Sequence, residues 1–219
     1  MTAHQFLVIG AGRFGSAVAS TLYQLGHEVV VIDRSEEAVE AIMHQVSHAA
    51  IVDATDEEAL RKLGCGNFDT VVVAIGNALE ANILATVAAK SVGARRVISK
   101  VPSALAARVL EKVGADEVIR PEHDMGVRVA RHLASPSIVD AFTLGEEHGV
   151  VEIEVSTRLV GRLDEMRLRN RFGVQVIAVH REGKLEVSPD GKFELRPGDR
   201  MVIIGSNEAL GRIQDFLSD

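Results

Sequence analysis

The stretch HQFLVIGAGRFGSAVASTLYQLGHEVVVIDRS, residues 4–35, decides the fold. An apolar run enters a glycine-rich turn, a helical stretch follows, and a second apolar run ends at Asp33. The turn reads Gly10-x-Gly12-x-x-Gly15. Between a strand and a helix, the first glycine permits a tight bend, the second lets backbone N–H groups approach phosphate, and the third lets the helix pack close to the sheet. The helix start adds partial positive charge, so the stretch predicts a nucleotide site.

Asp33 makes this prediction more specific, because the glycine pattern alone is a weak signal. It ends the second strand, about 20 residues beyond the turn, where a carboxylate accepts hydrogen bonds from ribose hydroxyls. A carboxylate at that place also disfavours a 2′-phosphate, which argues against NADP. The alternative is a tight strand-to-helix turn followed by an incidental aspartate.

Further nucleotide contacts are expected where the third and fourth strands end. VDAT, residues 52–55, and AIGN, residues 74–77, both fall at the edge where ligands bind in open parallel sheets. Asp53 is suited to accept from an adenine amino group, and Ile75 and Gly76 to wall the ring or the sugar; the alternative is that these are ordinary small loop residues. The complete predicted contact set is Gly10, Gly12, Arg13, Phe14, Gly15, Asp33, Arg34, Asp53, Ala54, Thr55, Ile75, Gly76 and Lys100.

Residues 1–133 alternate short β-branched runs with amphipathic helical stretches. The near-continuous apolarity of the runs favours a parallel sheet covered on both faces. Four helical stretches are followed by a glycine that can close a helix in the left-handed conformation. These glycines are Gly26, Gly64, Gly93 and Gly114. We therefore predict an α/β fold, a Rossmann-type doubly wound parallel sheet with right-handed crossovers.

The alternation ends in residues 134–149, which we expect to form a crossover helix or linker. Ser135, Pro136 and Ser137 interrupt helical continuation there. From residue 150 the pattern becomes strand, helix, strand, strand, turn, strand and helix. Residues 150–219 therefore predict a small α+β domain.

Composition narrows the class of protein. The 219 residues are 47% hydrophobic and 25% charged, as in globular proteins, and a net charge of −7 argues against binding to nucleic acid. The sequence has no run of about 18 apolar residues and opens with a strand instead of a secretion signal, so we expect a cytoplasmic location. Cys65, the single cysteine, lies in a turn and is assigned no chemistry.

Six segments in order carry a family resemblance: VIGAGRFG, HEVVVID, DAT, VVVAIG, EKVGAD and RPEHDMGVRVA. Together they resemble the regulatory RCK proteins of bacterial Ktr and Trk potassium transporters, most closely the Ktr type. The resemblance covers nearly the whole chain, with an RCK N-terminal domain over residues 1–133 and an RCK C-terminal domain over residues 150–219. It implies a cytosolic octameric ring, built from dimers, that docks under a potassium-translocating membrane subunit at the inner face of the cell membrane.

The resemblance also implies ligands and their roles. ATP and ADP would favour different gating states, and NAD(H) binds in Trk-type relatives. Arg13 would contact the γ-phosphate of a nucleotide held by the neighbouring subunit, since a guanidinium binds phosphate through two charge-assisted hydrogen bonds. The alternative for Arg13 is an exposed helix-forming residue. Lys100, which ends the fifth strand, would contact phosphate or the partner subunit, or remain solvated.

Glu122 is the candidate metal ligand. By resemblance it helps bind Mg²⁺ or Ca²⁺ beside the nucleotide phosphates, and oxygen ligands suit both ions. The alternative is that Glu122, His123 and Asp124 are helix-start residues of the kind that the helix dipole favours. We expect no zinc site at His123, because no cysteine or second histidine has suitable spacing.

The C-terminal half offers two further candidates. Some relatives bind cyclic di-AMP between two C-terminal domains, and Arg169 with Asn170 lies in the corresponding region; the alternative is a solvated basic helix, on which Arg167 and Arg171 would share a face. Apolar residues at helical spacing are expected to pack against another subunit or within the core. These residues are Val129, Leu133, Ile138, Val139 and Phe142.

Two classes of function fit the sequence, a regulatory protein and an enzyme. We expect the chain to be a nucleotide-sensing regulatory subunit of a potassium-uptake system and not an enzyme. The alternatives are a NAD-dependent oxidoreductase and an RCK regulator of a different cation transporter. The small second domain holds a single histidine, His180, and lacks the Ser-His-Asp set of a hydrolase, which argues against catalysis.

Overall fold

A computed structural model describes residues 3–76, 78–134, 138–145 and 147–218. The chain divides into two compact units, Met1–Asp124 and Met125–Asp219. The sequence places the end of the first domain later, at residue 133. The difference concerns one helix. Its side chains at residues 122–130 are exposed, so they pack little in either unit. Within the described part of the chain, every helix is too short or too polar to cross a membrane.

The first unit is built on six parallel strands. They are β1 (Gln5–Ile9), β2 (Glu28–Asp33), β3 (His48–Ile51), β4 (Thr70–Val73), β5 (Val97–Lys100) and β6 (Glu117–Ile119). Their order in the sheet is β3-β2-β1-β4-β5-β6, and each neighbouring pair is parallel. The sheet reverses its winding direction between β1 and β4, which confirms the predicted Rossmann-type sheet.

Helices cover both faces of this sheet. They are α1 (Arg13–Gln24), α2 (Glu36–Ile42), α3 (Glu57–Leu63), α4 (Leu79–Ser91) and α5 (Ala104–Lys112); α6 (Pro121–Ala134) follows β6, and its side chains at residues 122–130 are exposed. Successive residues of β1 point to opposite faces, as the strand period requires. Ile9 packs with Leu60 of α3 and Ala85 of α4, whereas Val8 packs with Ala19 of α1. The strands are therefore buried on both sides, which explains their continuous apolar sequences.

The helix boundaries follow from local capping. The Ser35, Asp56 and Ser103 side chains each accept a backbone N–H from the first turn of the helix that follows. At the other ends, the four closing glycines have positive φ, as predicted. They are Gly26, Gly64, Gly93 and Gly114.

The second unit is an antiparallel α+β fold, as predicted. Its strands are β7 (Ile138–Leu144), β8 (His148–Glu154), β9 (Gly161–Arg162), β10 (Gln175–Arg181), β11 (Lys184–Val187), β12 (Glu194–Leu195) and β13 (Arg200–Ser206). Its own helices are α7 (Leu163–Met166), α8 (Leu168–Phe172) and α9 (Asn207–Ser218). Five strands form a sheet in the order β11-β10-β13-β8-β7, and β12 pairs with β9. Ile153, Met201 and Ile213 are fully buried between this sheet and the helices.

Strand β7 corrects the expectation of a crossover helix over residues 134–149. Residues 138–144 pair antiparallel with β8, with Ala141 opposite Val151 and Phe142 opposite Val150. A short apolar run fits either a helix or a strand, and the adjacent partner strand decides between them. Residues 135–137, where an interruption was expected, lie outside the described residues.

Residues 163–173, LDEMRLRNRFG, also differ from the prediction, which places a single helix there. It forms two short helices, α7 and α8, separated by Arg167, which has the left-handed backbone angles φ 48° and ψ 42°. The expectation that Arg167 and Arg171 share one helix face is therefore wrong. A change of backbone hand between them removes the regular spacing on which that face depends.

A buried ion pair joins the end of β10 and strand β12 to the turn before β13 in the second unit. Asp199 is 4% exposed and accepts hydrogen bonds from Arg181 at both carboxylate oxygens, at 2.8 and 2.6 Å. The Arg196 backbone N–H donates a further bond at 2.8 Å, and Arg181 also donates to the Glu194 carbonyl at 2.7 Å. Because its carboxylate is surrounded by donors, the pKa of Asp199 lies below its ordinary value, mainly through the Arg181 hydrogen bond.

Candidate functional site

Two positions of the glycine turn between β1 and α1 accept only glycine. Gly10 has φ +102°, and a Cβ there would lie 3.1 Å from the Ala74 carbonyl carbon. A Cβ on Gly15 would lie 1.9 Å from the Gly10 carbonyl oxygen. A Cβ on Gly12 would instead meet open space on the side where a ligand would approach. The turn thus brings the start of α1, with its unpaired N–H groups, to the edge of the sheet.

Asp33 ties this turn to the end of β2. The Ala11 N–H donates to its Oδ2 at 2.7 Å, and the Ser35 N–H donates to its Oδ1 at 2.9 Å. Each carboxylate oxygen can accept a second bond. The side chain is therefore held in one orientation while it keeps acceptor capacity for a pair of hydroxyls.

A cleft of about 260 Å³ opens beside Asp33 at the carboxyl edge of the sheet. Nine residues of the predicted contact set line it. They are Gly10, Gly12, Asp33, Arg34, Asp53, Ala54, Thr55, Ile75 and Gly76. The roles of these residues toward a ligand remain predictions, but the structure places all nine around one space.

Six further residues that line the cleft were missed from the sequence. They are Ile9, Ile32, Val52, Ala74, Ala78 and Ala81. All are apolar, and four of them, Ile9, Ile32, Val52 and Ala74, lie at or directly after the end of a strand and precede a predicted residue in the sequence. That position was the available signal, since the last inward residue of each strand must form a wall at this edge. Asn77, the last residue of AIGN, lies outside the described residues.

Asp53 is held as an ionised acceptor on the wall of the cleft. The Thr55 hydroxyl donates to its Oδ1 at 2.7 Å, and the Thr55 N–H donates to the same oxygen at 2.9 Å. These hydrogen bonds, led by the hydroxyl, lower the pKa of Asp53, and the positive charge of Arg34 adds to the effect. The second carboxylate oxygen is suited to a donor such as an amino group.

The four other predicted side chains meet beside the cleft and do not line it. The Lys100 Nζ atom contacts Glu122 Oε1 at 2.6 Å and lies 5.7 Å from the centre of the Phe14 ring. Lys100 is 12% exposed, whereas Glu122 is 68% exposed. The Lys100 hydrogen bond is the main cause that lowers the pKa of Glu122, and the charge of Arg13 contributes. We call Arg13, Phe14, Lys100 and Glu122 the edge cluster.

Gly76 connects the edge cluster with the cleft. It lines the cleft, and a Cβ built on it would lie 3.8 Å from Lys100 Nζ. Two cationic side chains, Arg13 and Lys100, thus lie near the start of α1 and the rim of the cleft. This arrangement is suited to an anion that extends from the cleft toward the rim.

Asn82 is a further residue of this region that sequence reasoning missed. It lies on α4 and is buried, and its Nδ2 donates to the carbonyl oxygens of Ile75 at 3.0 Å and Lys100 at 2.7 Å. It thereby joins the cleft wall to the residue that carries the edge-cluster lysine. The sequence offers only a weak signal, an asparagine in the first part of a largely apolar helix.

Metal-binding capacity is limited in the described residues. They contain no group of three or more His, Cys, Asp or Glu side chains that could hold an ion. Glu122 supplies a single carboxylate, and His123 contacts Asp124 at 3.1 Å. Burial raises the pKa of the Cys65 thiol to about 11, so this group is a thiol at neutral pH and unsuited to metal binding or nucleophilic chemistry.

The arginines of residues 158–171 do not form one basic face. Arg162 pairs with Asp164, Arg158 donates to the Phe216 carbonyl, and Arg171 stacks on the Phe172 ring. Arg167, Arg169 and Asn170 instead line a second cleft of about 350 Å³, in the second unit. A ligand for that cleft remains a prediction.

The residues expected to pack against another subunit fall into two groups. Val129 and Leu133 lie exposed on α6. Ile138, Val139 and Phe142 lie in β7, where the side chains are outside the described residues. Packing against a second copy therefore stays a prediction.

Comparison with known families and proteins gives matches along most of the chain. Residues 6–121 match the TrkA-N domain, and residues 150–218 match the TrkA-C domain. The chain is 37% identical to the Ktr system potassium uptake protein C of Bacillus subtilis, over 96% of this chain and 96% of that protein. That relative has nearly the same extent as this chain.

Solved structures match the fold. The crystal structure of the GsuK RCK domain matches with a TM-score of 0.69 and 18% identity, over 100% of this chain and 48% of that one. The GsuK channel bound to NAD matches with a TM-score of 0.66 and 18% identity, over 95% of this chain and 38% of that one. This chain thus spans less than half of each, and the likeness concerns the RCK fold alone.

Proposed function

This chain belongs to the family of proteins that combine a TrkA-N with a TrkA-C domain, and we propose that it is the nucleotide-sensing regulatory subunit of a potassium-uptake system. The observation that carries the proposal is the cleft, in which a glycine turn, an oriented Asp33 and an ionised Asp53 face one space. The name of the B. subtilis relative supplies the transport system. The NAD-bound channel structure, which shares the fold, supports a nucleotide as the ligand class.

We favour ATP and ADP as the ligands that are discriminated, with NAD(H) as the alternative. The cleft suits the base and ribose, because its walls are apolar and its acceptors are fixed. The phosphates would then extend past Gly12 along the start of α1 toward the edge cluster. A longer phosphate chain reaches further in this direction, so the edge cluster is where ATP and ADP would differ.

Arg13 is the residue proposed to sense that difference. It lies in the first turn of α1, near enough to Glu122 for its charge to lower the pKa of that carboxyl group. Its guanidinium would bind the γ-phosphate of a nucleotide held by the neighbouring subunit. A ligand shifts a conformational equilibrium only by its differential affinity, and a phosphate contact across subunits is such a difference.

Glu122 is proposed to exchange its partner when a nucleotide binds. Lys100 would turn to a phosphate, and Glu122 would bind Mg²⁺ or Ca²⁺ together with phosphate oxygens. Hard divalent ions take several oxygen ligands, which a single carboxylate does not supply, so the phosphates or a partner subunit would complete the site. Because Glu122 is exposed, such an exchange costs little free energy.

The protein would act by changing shape and not by catalysis. We propose an octameric ring of dimers that docks from the cytoplasm on a potassium-translocating membrane subunit. Ligand-dependent geometry of the ring would then bias the pore. The second cleft, around Arg169 and Asn170, is the place to examine for cyclic di-AMP.

Calorimetry on Arg13→Ala tests the proposal. We expect ATP affinity to fall about 10-fold or more, the range of a lost charge-assisted hydrogen bond, while ADP affinity stays nearly unchanged. Arg34→Ala is the matched control, since Arg34 lines the cleft itself and should affect both nucleotides alike. Equal losses for ATP and ADP in Arg13→Ala would contradict the role of Arg13. Steady hydride transfer from NADH would contradict the regulatory function.

A further inference from the structure

Asn82 is an energetically unfavourable residue at its position. It lies in the interior of α4, where asparagine has low helix propensity, and it is 1% exposed. Its Oδ1 atom is buried and accepts no hydrogen bond from the described residues. Burying an unsatisfied acceptor costs free energy, and a leucine would suit the helix better. The compensating feature is its amide group, which donates to two carbonyls at once.

Those two carbonyls lie where two strands separate. The last paired residues of β4 and β5 are Val73 and Ser99. Beyond them the parallel ladder stops, and the chains diverge toward Ile75 and Lys100. Asn82 replaces the missing ladder bonds with 3.0 and 2.7 Å contacts from a single nitrogen. At this edge one side chain therefore joins the two chain segments.

The two bridged residues have different neighbours. Ile75 lines the cleft, and Lys100 carries the Nζ atom that contacts Glu122 at 2.6 Å. Glu122 lies in the first turn of α6, and α6 continues from there into the second unit. A continuous series of contacts thus runs from the cleft wall through Asn82 to the start of that helix.

We propose that Asn82 is a positioning residue that transmits occupation of the cleft to the Lys100–Glu122 pair and so to α6. This inference rests on the proposed function, because it requires a ligand in the cleft. A ligand that presses on Ile75 moves its carbonyl, and the shared amide group obliges the Lys100 backbone to follow or one bond to break. Either response changes the contact between Lys100 and Glu122. Coupling of this kind needs an element that both sites bias, and the shared amide provides it.

Thr86 offers a matched control. It lies one turn after Asn82 on the same face of α4, and its hydroxyl contacts the Ser99 hydroxyl at 2.9 Å with both side chains fully buried. It therefore joins the same helix to the same strand but touches neither of the two carbonyls. Thr86→Val removes a buried polar contact of α4 without altering the bridge.

The experiment is hydrogen–deuterium exchange of the full-length assembled protein, with and without saturating ADP and in the absence of divalent ions, so that neither a γ-phosphate nor Mg²⁺ links the ligand directly to Lys100 or Glu122. In the wild type we expect the nucleotide to change exchange within residues 121–134. In Asn82→Ala the nucleotide still binds and this change disappears, whereas Thr86→Val retains it. A full response of residues 121–134 in Asn82→Ala would overturn the inference and leave the proposed function standing. Absence of nucleotide binding to the wild type would overturn the proposed function itself.

Asn82→Asp gives a readout that a purely structural role would not produce. An ionised carboxylate donates no hydrogen bond and faces two carbonyl oxygens, but a protonated carboxyl group donates one. After correction for intrinsic exchange rates, the nucleotide response should be absent at alkaline pH, where this buried carboxyl group is ionised, and return in part as the pH is lowered. A response that is independent of pH would contradict the role of the amide donors.

Lys100→Met keeps the inference open to refutation if the Asn82 variants do not fold. It leaves Asn82 and both carbonyls in place and removes the contact with Glu122. At saturating nucleotide the response of residues 121–134 should be lost in this variant as well. An unchanged response would overturn the proposed route to α6.

Discussion

Two ion pairs, one in each unit, show how differently a carboxylate can be held. Asp199 in the second unit is 4% exposed and accepts from Arg181 at both oxygens and from the Arg196 backbone. Glu122 in the first unit is 68% exposed and contacts Lys100 at 2.6 Å. In both pairs the basic partner's hydrogen bond is the main cause that lowers the carboxyl pKa.

The difference in burial gives the two pairs different uses. If Asp199 lost Arg181, a buried charge would remain without its partner, which is strongly destabilising. Glu122 can lose Lys100 and be solvated by water, and a phosphate would take its place beside Lys100, which is 12% exposed, so the exchange costs little. The first pair therefore belongs to the framework of the second unit, and the second can change partners when a ligand arrives. Two predictions test this contrast, and a third concerns the left-handed residue Arg167 of the second unit.

Asp199→Ala should have the largest effect on stability. It leaves Arg181, which is 31% exposed, without its carboxylate and the Arg196 N–H without its acceptor, and breaking a buried pair in this way costs up to about 3–5 kcal/mol. Chemical denaturation at pH 7 measures the loss of unfolding free energy. A loss below about 1 kcal/mol, typical of exposed pairs, would remove the distinction between the two pairs.

The pH dependence of this loss serves as its control. The folded-state pKa of Asp199 lies below its ordinary value of 3.8, so the charged pair stabilises the protein at every pH above that value. As the pH falls from there through the lowered pKa, the carboxylate is protonated and the contribution is lost. The difference between wild type and Asp199→Ala should therefore be constant near neutrality and narrow in acid.

Glu122→Gln should change the unfolding free energy by about 1 kcal/mol or less, because the side chain is mostly exposed and the glutamine carbonyl oxygen can still accept a hydrogen bond from Lys100. It should nevertheless abolish the effect of Mg²⁺ on ATP affinity, since an amide is a poor ligand for a divalent ion in place of a carboxylate. Calorimetry with and without Mg²⁺ measures this. Asp124→Asn is the control, being a neighbouring exposed carboxylate on the same helix, and should keep the Mg²⁺ effect. If both variants lost the Mg²⁺ effect, the cause would be the change in local charge and not binding of the ion by Glu122.

Arg167→Gly should have the smallest effect and the opposite sign. A left-handed conformation costs a residue with a Cβ about 1–2 kcal/mol, and glycine's greater freedom in the unfolded chain offsets about 0.4–1 kcal/mol of the gain. We expect stability to rise by about 0.5 kcal/mol in thermal unfolding. Arg169→Gly, inside α8, should lower it by about 1 kcal/mol. Equal destabilisation by both would indicate one continuous helix.

Much of the first unit could be predicted because its signals are local. The Gly10 bend and the close approach at Gly15 follow from a spacing that few other structures demand, and Asp33 follows from its place at the end of a strand. The same principle placed nine residues around the cleft. In the second unit β8, β10, β11 and β13 were predicted, whereas β7 and the short strands β9 and β12 were not. Arg167, a non-glycine residue, adopts positive φ without a sequence signal.

The sequence by itself determined the parallel sheet, the glycine turn and the carboxyl edge at which a ligand would bind, since each depends on residues close together in the chain. The tertiary structure alone decided that residues 138–144 form a strand, because β8 supplies their hydrogen-bond partners. It also decided that Asn82 bridges Ile75 and Lys100. These carbonyls come from separate strands, and only the folded sheet brings both within reach of one amide group.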